Sequence, residues 1–213
     1  MIFQIKQKKN KFLEEVYNKS MQELNDFYGI NWIENRPKIV IVNDRKTIDS
    51  LHSRKTEDWL VGWADFGSTI YLLNSLNYKT ESNHTFKKES YSMLIKHELS
   101  HLFFGILIKQ NYAPVWLNEG VAIYLSGQNK FKKEIQEFKT FLNYYDKGSC
   151  EVYNESGFFV QMLVEKYGKE KFLKFLISLQ KIKNRKEFDS LFFKTYKFSL
   201  NYKEINKIIE VRT

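Results

Sequence analysis

Two histidines four residues apart, with a glutamate directly after the first, stand in the stretch His97-Glu98-Leu99-Ser100-His101. Residues with this spacing on an α-helix differ by about 40° around its axis, so both imidazoles project from one face at neighbouring turns and can grip one ion. Neutral imidazole nitrogen binds zinc at about 2.0–2.1 Å, and a catalytic zinc keeps one coordination position for water. In the His-Glu-x-x-His arrangement the carboxylate, here Glu98, takes the proton of that water as it attacks a carbonyl. Met93, Leu94, Ile95, Leu99, Leu102, Phe103, Ile106 and Leu107 surround the pair, so the helix is apolar on most faces and is expected to be buried. Buried histidines and a buried glutamate need partners, because an unpaired polar group is costly, and a metal supplies one. The alternative is a helix that carries the same residues for no chemical purpose.

A zinc site needs a third protein ligand, and Glu119 in Pro114-Val115-Trp116-Leu117-Asn118-Glu119-Gly120-Val121-Ala122 is the strongest candidate. Pro114 suits the first turn of a helix. A turn near Gln110 to Ala113 brings that helix back past the histidines, and Gly120 permits close approach of helices. Spacing alone leaves an ordinary solvated glutamate open as well. His52 and His84 lack ligand-like spacing and read as surface residues.

The elements that must position these groups follow from periodicity. Phe12, Val16, Leu24 and Phe27 among charged neighbours predict an amphipathic helix over 8 to 28, ending near Gly29. The β-branched run Lys38 to Val42 reads as a buried strand, followed by a helix over 45 to 54. Trp59 to Trp63 and Ser68 to Leu73 have strand composition, with Gly67 as the turn between them. Helices are expected at 88 to 108, 115 to 126, 130 to 143, 154 to 167, 169 to 181, 186 to 196 and 202 to 210. Strands first and helices afterward indicate α+β architecture, with a small antiparallel or mixed sheet in the N-terminal half and a mainly helical C-terminal half. The polar segment 74 to 87 is expected to be a mobile surface loop.

The chain has 213 residues, among them 18 Phe, 13 Tyr and 4 Trp against 2 Pro and 9 Gly. That composition suits one folded domain over 1–213 and excludes a disordered or collagen-like chain. Cys150 is the single cysteine and has no intramolecular partner for a disulfide. The amino terminus, MIFQIKQKKNKF, has no apolar run behind a basic stretch, and no segment is long and apolar enough to span a membrane, so a cytoplasmic location is expected. The net charge of +9 is carried mostly by lysine, with only Arg36, Arg45, Arg54, Arg185 and Arg212 as arginines. Lysine spread over helix surfaces reads as a solvated face, so no specific nucleic-acid partner is expected.

His97 to His101, followed after 17 residues by Glu119 within Trp116-Leu117-Asn118-Glu119-Gly120, resembles the gluzincin zinc peptidases, particularly the aminopeptidase N-like and peptidase MA-like families. The likeness covers about 90 to 170, and those families commonly have one residue more between the two motifs. The resemblance implies a zincin-like fold, one zinc per chain held by His97, His101 and Glu119, Glu98 as general base, and a peptide or protein substrate. It also implies a tyrosine at the start of a downstream helix that stabilises the oxyanion; Tyr153 in Val152-Tyr153-Asn154-Glu155 is the candidate, with Tyr144 and Tyr145 as substitutes. Gluzincins hold substrate along an edge strand beside the metal, which implies a role for Phe66 to Asn74 and assigns substrate binding to Ser68, Thr69, Ile70 and Tyr71. The Gly-x-Met-Glu-Asn motif that helps aminopeptidases hold a free amino terminus is missing, since the region reads Gly62-Trp63-Ala64-Asp65-Phe66-Gly67. The expectation is therefore an endopeptidase or a specialised processing enzyme. A non-catalytic zinc-stabilised binding module and a lysine-rich nucleic-acid-binding protein are the competing readings.

Overall fold

The computed structural model describes residues 5–7, 9–65, 68–148 and 151–210; Cys150 and the expected turn at Gly67 lie outside them. Helix α1 (Lys11–Tyr28) starts where the Asn10 side chain accepts the Leu13 N–H at 3.1 Å and stops at Gly29, whose φ of 65° only glycine adopts without strain. Its buried stripe of Met21, Leu24 and Tyr28 faces the core, and the Tyr28 hydroxyl lies 3.3 Å from Ser100 Oγ.

Three strands follow: β1 (Lys38–Val42), β2 (Gly62–Asp65) and β3 (Thr69–Leu73). Their order is β1-β3-β2, with β1 parallel to β3 and β2 antiparallel to it. The sheet is therefore mixed, and helix α2 (Arg45–His52) lies within the crossover that a parallel pair requires. This order corrects one expectation. β3 is the central strand, hydrogen-bonded on both sides, so Thr69, Ile70 and Tyr71 offer no free edge; Ser68 forms the turn before them, and its carbonyl accepts the Lys38 N–H at 3.0 Å. Within the described residues the free edge next to the histidine helix belongs to β2.

Arg45 fixes the approach to β2. Its guanidinium donates to the carbonyls of Leu60 at 2.8 Å, Glu57 at 3.1 Å and Glu81 at 2.7 Å, and to Thr56 Oγ1 at 3.2 Å. One planar fork thus ties residues 56–60 to Glu81 at the end of a later segment.

The segment 74–87 is not a featureless loop: it contains a 3-10 turn and helix α3 (Tyr78–Glu81), held down by the buried Tyr78 ring against Phe86 and Tyr91. Helix α4 (Lys88–Ile108) carries both histidines and is buried on nearly all sides, as its apolar composition requires. Helix α5 (Val115–Ser126) runs back beside it and packs closely on α6 (Val152–Tyr167). Helices α7 (Lys169–Ser178), α8 (Arg185–Tyr196) and α9 (Tyr202–Glu210) complete the helical half. Residues from Met21 to Ile205 share one hydrophobic cluster, with Trp116, Phe159, Phe188 and Phe192 fully buried at its centre. Among the described residues no helix is long and apolar enough to cross a membrane.

The helix expected over 130 to 143 does not form; only 3-10 turns at Gln128–Phe131 and Phe141–Asn143 are present. Its backbone is claimed by distant side chains instead. The buried Glu155 carboxylate accepts the N–H groups of Lys139, Thr140 and Phe141 at 2.9–3.1 Å, Asn206 pairs with both N–H and C=O of Phe138, and Tyr202 Oη accepts from Leu142 N. Satisfying backbone groups by tertiary partners removes the need for a helix.

Candidate metal centre

His97 and His101 point from one face of α4, and their Nε2 atoms lie 3.1 Å apart. Glu119 comes from the second turn of α5 and places Oε2 3.4 Å from His97 Nε2 and 3.7 Å from His101 Nε2. Helix α5 is aimed by its N-terminal N–H groups, which donate to the carbonyls of Tyr145 (from Val115, 2.8 Å) and Tyr144 (from Trp116, 2.9 Å). The glycine after Glu119 lets α5 touch α6: a Cβ on Gly120 would lie 2.6 Å from the Ser156 carbonyl oxygen.

Each imidazole is oriented from behind. His97 Nδ1 lies 3.1 Å from Gln128 Oε1, and His101 Nδ1 lies 3.0 Å from Asn118 Oδ1. An amide oxygen accepts only from a protonated Nδ1, so in the neutral imidazoles the Nε2 atoms carry the lone pairs, turned toward Glu119. Glu119 Oε2 is buried and makes no hydrogen bond of good geometry. Two imidazole lone pairs and an orphaned carboxylate oxygen facing one point repel one another unless a cation lies between them. Four ligands about 2.0–2.1 Å from a tetrahedral zinc stand roughly 3.3 Å apart, so the separations of 3.1, 3.4 and 3.7 Å fit such an ion. Among the described residues, His97, His101 and Glu119 are the one group of potential ligands close enough to hold a metal.

Burial pushes the Glu98 carboxyl up to about 7, with His101 opposing and Glu119 reinforcing the rise; the Ala64 N–H of β2 is its hydrogen-bond partner. For Glu119 burial acts in the same direction, yet His101, His97 and a hydrogen bond from the Tyr153 hydroxyl outweigh it and hold the carboxyl below its usual range. Tyr153, in the first turn of α6, therefore reaches the centre, and its ring stands 6.3 Å from that of His97. Tyr144 and Tyr145 do not: their hydroxyls bond Glu151 and Asp189, and neither lines the cleft. Ser68, Thr69, Ile70 and Tyr71 are also absent from its walls, for the reason given by the strand order. The strand side of the cleft is built by Gly62, Trp63 and Ala64 of β2. His84 is exposed and caps the Trp59 carbonyl at 3.0 Å, whereas His52 is half-buried against Trp63 rather than lying on the surface.

Three participants had no role assigned by sequence reasoning. Asn118 sits inside the Trp-Leu-Asn-Glu-Gly stretch, so its proximity to Glu119 was the available signal. Gln128 and Lys132 follow α5 in irregular chain, where no periodicity marks them. Lys132 donates to the Tyr153 carbonyl, and burial pushes its ammonium down to about 8 against the opposing field of Glu119.

Two histidines one turn apart on a buried helix, a glutamate from the next helix and a short mixed sheet alongside form a candidate centre similar to that of the gluzincins. Residues 62–144 match the Peptidase family M1 domain, a stretch that contains β2, β3, Glu98 and all three candidate ligands but ends before Tyr153. Over 83 residues the chain is 32% identical to endoplasmic reticulum aminopeptidase 1 of Mus musculus. That alignment covers 38% of this chain and only 8% of the relative. No solved structure matches the chain. Together these likenesses support an aminopeptidase N-like zinc peptidase domain.

Proposed function

We propose that this chain is a zinc-dependent peptidase that cuts within peptide chains. The observation that carries the reading is the course of the cleft, a cavity of about 790 Å³ that runs along α4 on both sides of the centre, from Ser90 and Leu94 to Ile108 and Gln110. From Ser90 to Ile108 a helix rises about 27 Å, which matches roughly eight residues of extended peptide. His97 and His101 stand near its middle, so substrate has room on either side of the scissile bond. An anchor for a free amino terminus is not offered by Asp65, whose carboxylate accepts the Thr69 N–H at 3.1 Å and the Tyr71 hydroxyl.

The donor set of His97, His101 and Glu119 fits zinc, which when bound supplies a Lewis acid and acidifies water. Glu98, buried beside the ligands, is placed to take a proton from the attacking water and pass it to the leaving amine. The free edge of β2 aligns the substrate backbone by strand addition. Tyr153 donates its hydroxyl hydrogen to the carbonyl oxygen as negative charge develops there, in a site whose apolar walls strengthen that bond.

The test is incubation of the zinc-loaded chain with a peptide library and mass-spectrometric reading of the products. Internal cuts are expected, and Glu98→Gln should abolish them while zinc content stays near one per chain. Zinc retained with no cleavage of any peptide would leave a binding module in place of an enzyme; release of single amino-terminal residues alone would overturn the endopeptidase assignment.

A further inference from the structure

We propose that Gln110 selects the substrate side chain that lies against the last turns of α4, admitting uncharged side chains and favouring those that hydrogen-bond an amide. The inference rests on the peptidase reading of the cleft. Helix α4 ends at Ile108, and the next two residues, Lys109 and Gln110, both adopt left-handed backbone with φ of 56° and 55°. Neither is glycine, so each conformation costs about 1–2 kcal/mol. The strain is held by hydrogen bonds back into the helix, from Lys109 N to the Ile106 carbonyl at 3.1 Å and from Gln110 N to the Gly105 carbonyl at 2.9 Å.

The consequence is where the Gln110 side chain goes. It folds back across Gly105, and a Cβ on that glycine would lie 2.6 Å from Gln110 Nε2 and 3.0 Å from Oε1. Gly105 follows His101 by one turn on the same face of α4. The amide is therefore laid on the floor of the cleft about 6 Å along the helix axis from the metal ligand, within one or two substrate residues of the scissile bond. Any side chain at position 105 would expel it.

The side chains that the end of α4 and the loop after it give to the cleft are Phe104, Ile108, Gln110, Asn111 and Ala113, and none of these is charged. Of the other polar walls, Glu119 belongs to the metal centre, the Asp65 carboxylate is engaged by the Thr69 N–H and the Tyr71 hydroxyl, and His84 and Lys87 lie beside Trp59 and at the N-terminus of α4. Among the described residues the Gln110 amide makes no side-chain hydrogen bond, so its donor and its acceptor are both available to a ligand that reaches it. A charged substrate side chain entering here would lose hydration and meet no counter-charge from α4 or the loop after it. Asn, Gln, Ser or Thr would pair with the amide, and apolar side chains would rest on Phe104 and Ile108.

Profiling of the zinc-loaded chain on a library randomised on both sides of the cut tests this. At one position, on one side only, Asp, Glu, Lys and Arg should be depleted about tenfold or more relative to Asn, Gln and Leu. Gln110→Glu should convert the depletion of Lys and Arg at that same position into enrichment, and Gln110→Lys should do so for Asp and Glu. Gly105→Ala, which displaces the amide without adding charge, should flatten the preference. A reversal that follows the charge at residue 110 cannot come from misfolding. Cleavage with a profile indifferent to that charge overturns the assignment of Gln110 and leaves the peptidase reading standing; no cleavage by the unaltered chain overturns both.

Discussion

The Nε2 atoms of His97 and His101 face each other at 3.1 Å with a buried, unbonded Glu119 oxygen 3.4 and 3.7 Å away. Three acceptors converging on one point are stabilised by a cation between them. Zinc should therefore raise the unfolding temperature of the chain, by the equivalent of about 2.7 kcal/mol at a hundredfold excess over Kd. Alanine at His97, His101 or Glu119 should abolish that increment in a thermal melt with and without zinc. A zinc-dependent shift of unchanged size in all three variants would place the ion elsewhere.

Gln128 holds His97 by an acceptor at Nδ1, so its role separates by chemistry from that of bulk. Gln128→Leu should weaken zinc binding about 10–100-fold, while Gln128→Glu, which still accepts, should retain or tighten it. Competition with a chelator dye measures this directly. Equal weakening in both variants would show that only the volume of the side chain matters.

Tyr153 can serve the reaction only through its hydroxyl, because its ring is already packed near His97 and Trp59. Tyr153→Phe should lower kcat about 10²–10³-fold with little change in KM or zinc content. Steady-state kinetics on one peptide cut by the unaltered chain decides it, and an unaltered kcat would remove Tyr153 from the mechanism.

Lys132 links stability to pH. Its amine titrates near 10.5 when solvated and near 8 in the fold, because burial disfavours the charged form. Below pH 8 both states carry the proton and the full desolvation cost opposes folding; between pH 8 and 10.5 the folded chain binds fewer protons than the unfolded one, so stability contributed at this site rises with pH. Lys132→Met should accordingly stabilise the chain at pH 7 and lose that advantage toward pH 10.5. Denaturant midpoints of both proteins across this range provide the check, and a gain independent of pH would contradict it.

Gly120 sits at the closest approach of α5 and α6, where a methyl group would press on the Ser156 carbonyl and on Val160 Cγ2 at 2.8 Å. Gly120→Ala should destabilise the fold by about 1–3 kcal/mol and weaken zinc binding, since α5 carries Glu119. Urea unfolding gives the first quantity and zinc titration the second. An unchanged urea midpoint would mean that the helices separate without cost.

Much of the centre was legible in the sequence because it is local. Histidines four apart share a helix face wherever a helix forms, and the apolar residues around them secured both the helix over 88–108 and its burial. Lys38 to Val42 was legible as a strand for a similar reason, since a short β-branched run needs only its own composition. Glu119, the third candidate ligand, was readable because α5 follows α4 after a single turn and runs back beside it.

What only the tertiary structure decided depends on partners far apart in the chain. Strand order is one case: β3 has the stronger strand composition, but β1 pairs with its other side and so β2 becomes the edge facing the histidines. Residues 130–143 are another, since the Glu155 carboxylate and the Asn206 and Tyr202 side chains take the hydrogen bonds a helix would have made for itself. Gln128 behind His97 and Gln110 across Gly105 belong to the same class, positioned by how helix ends turn. The sequence by itself determined which chemistry is available and which helix carries it, because side-chain type and helical period act within one turn. The fold decided which strand, which outer partner and which cleft wall serve that chemistry, because those follow from the packing of elements whose contacts leave no periodic trace.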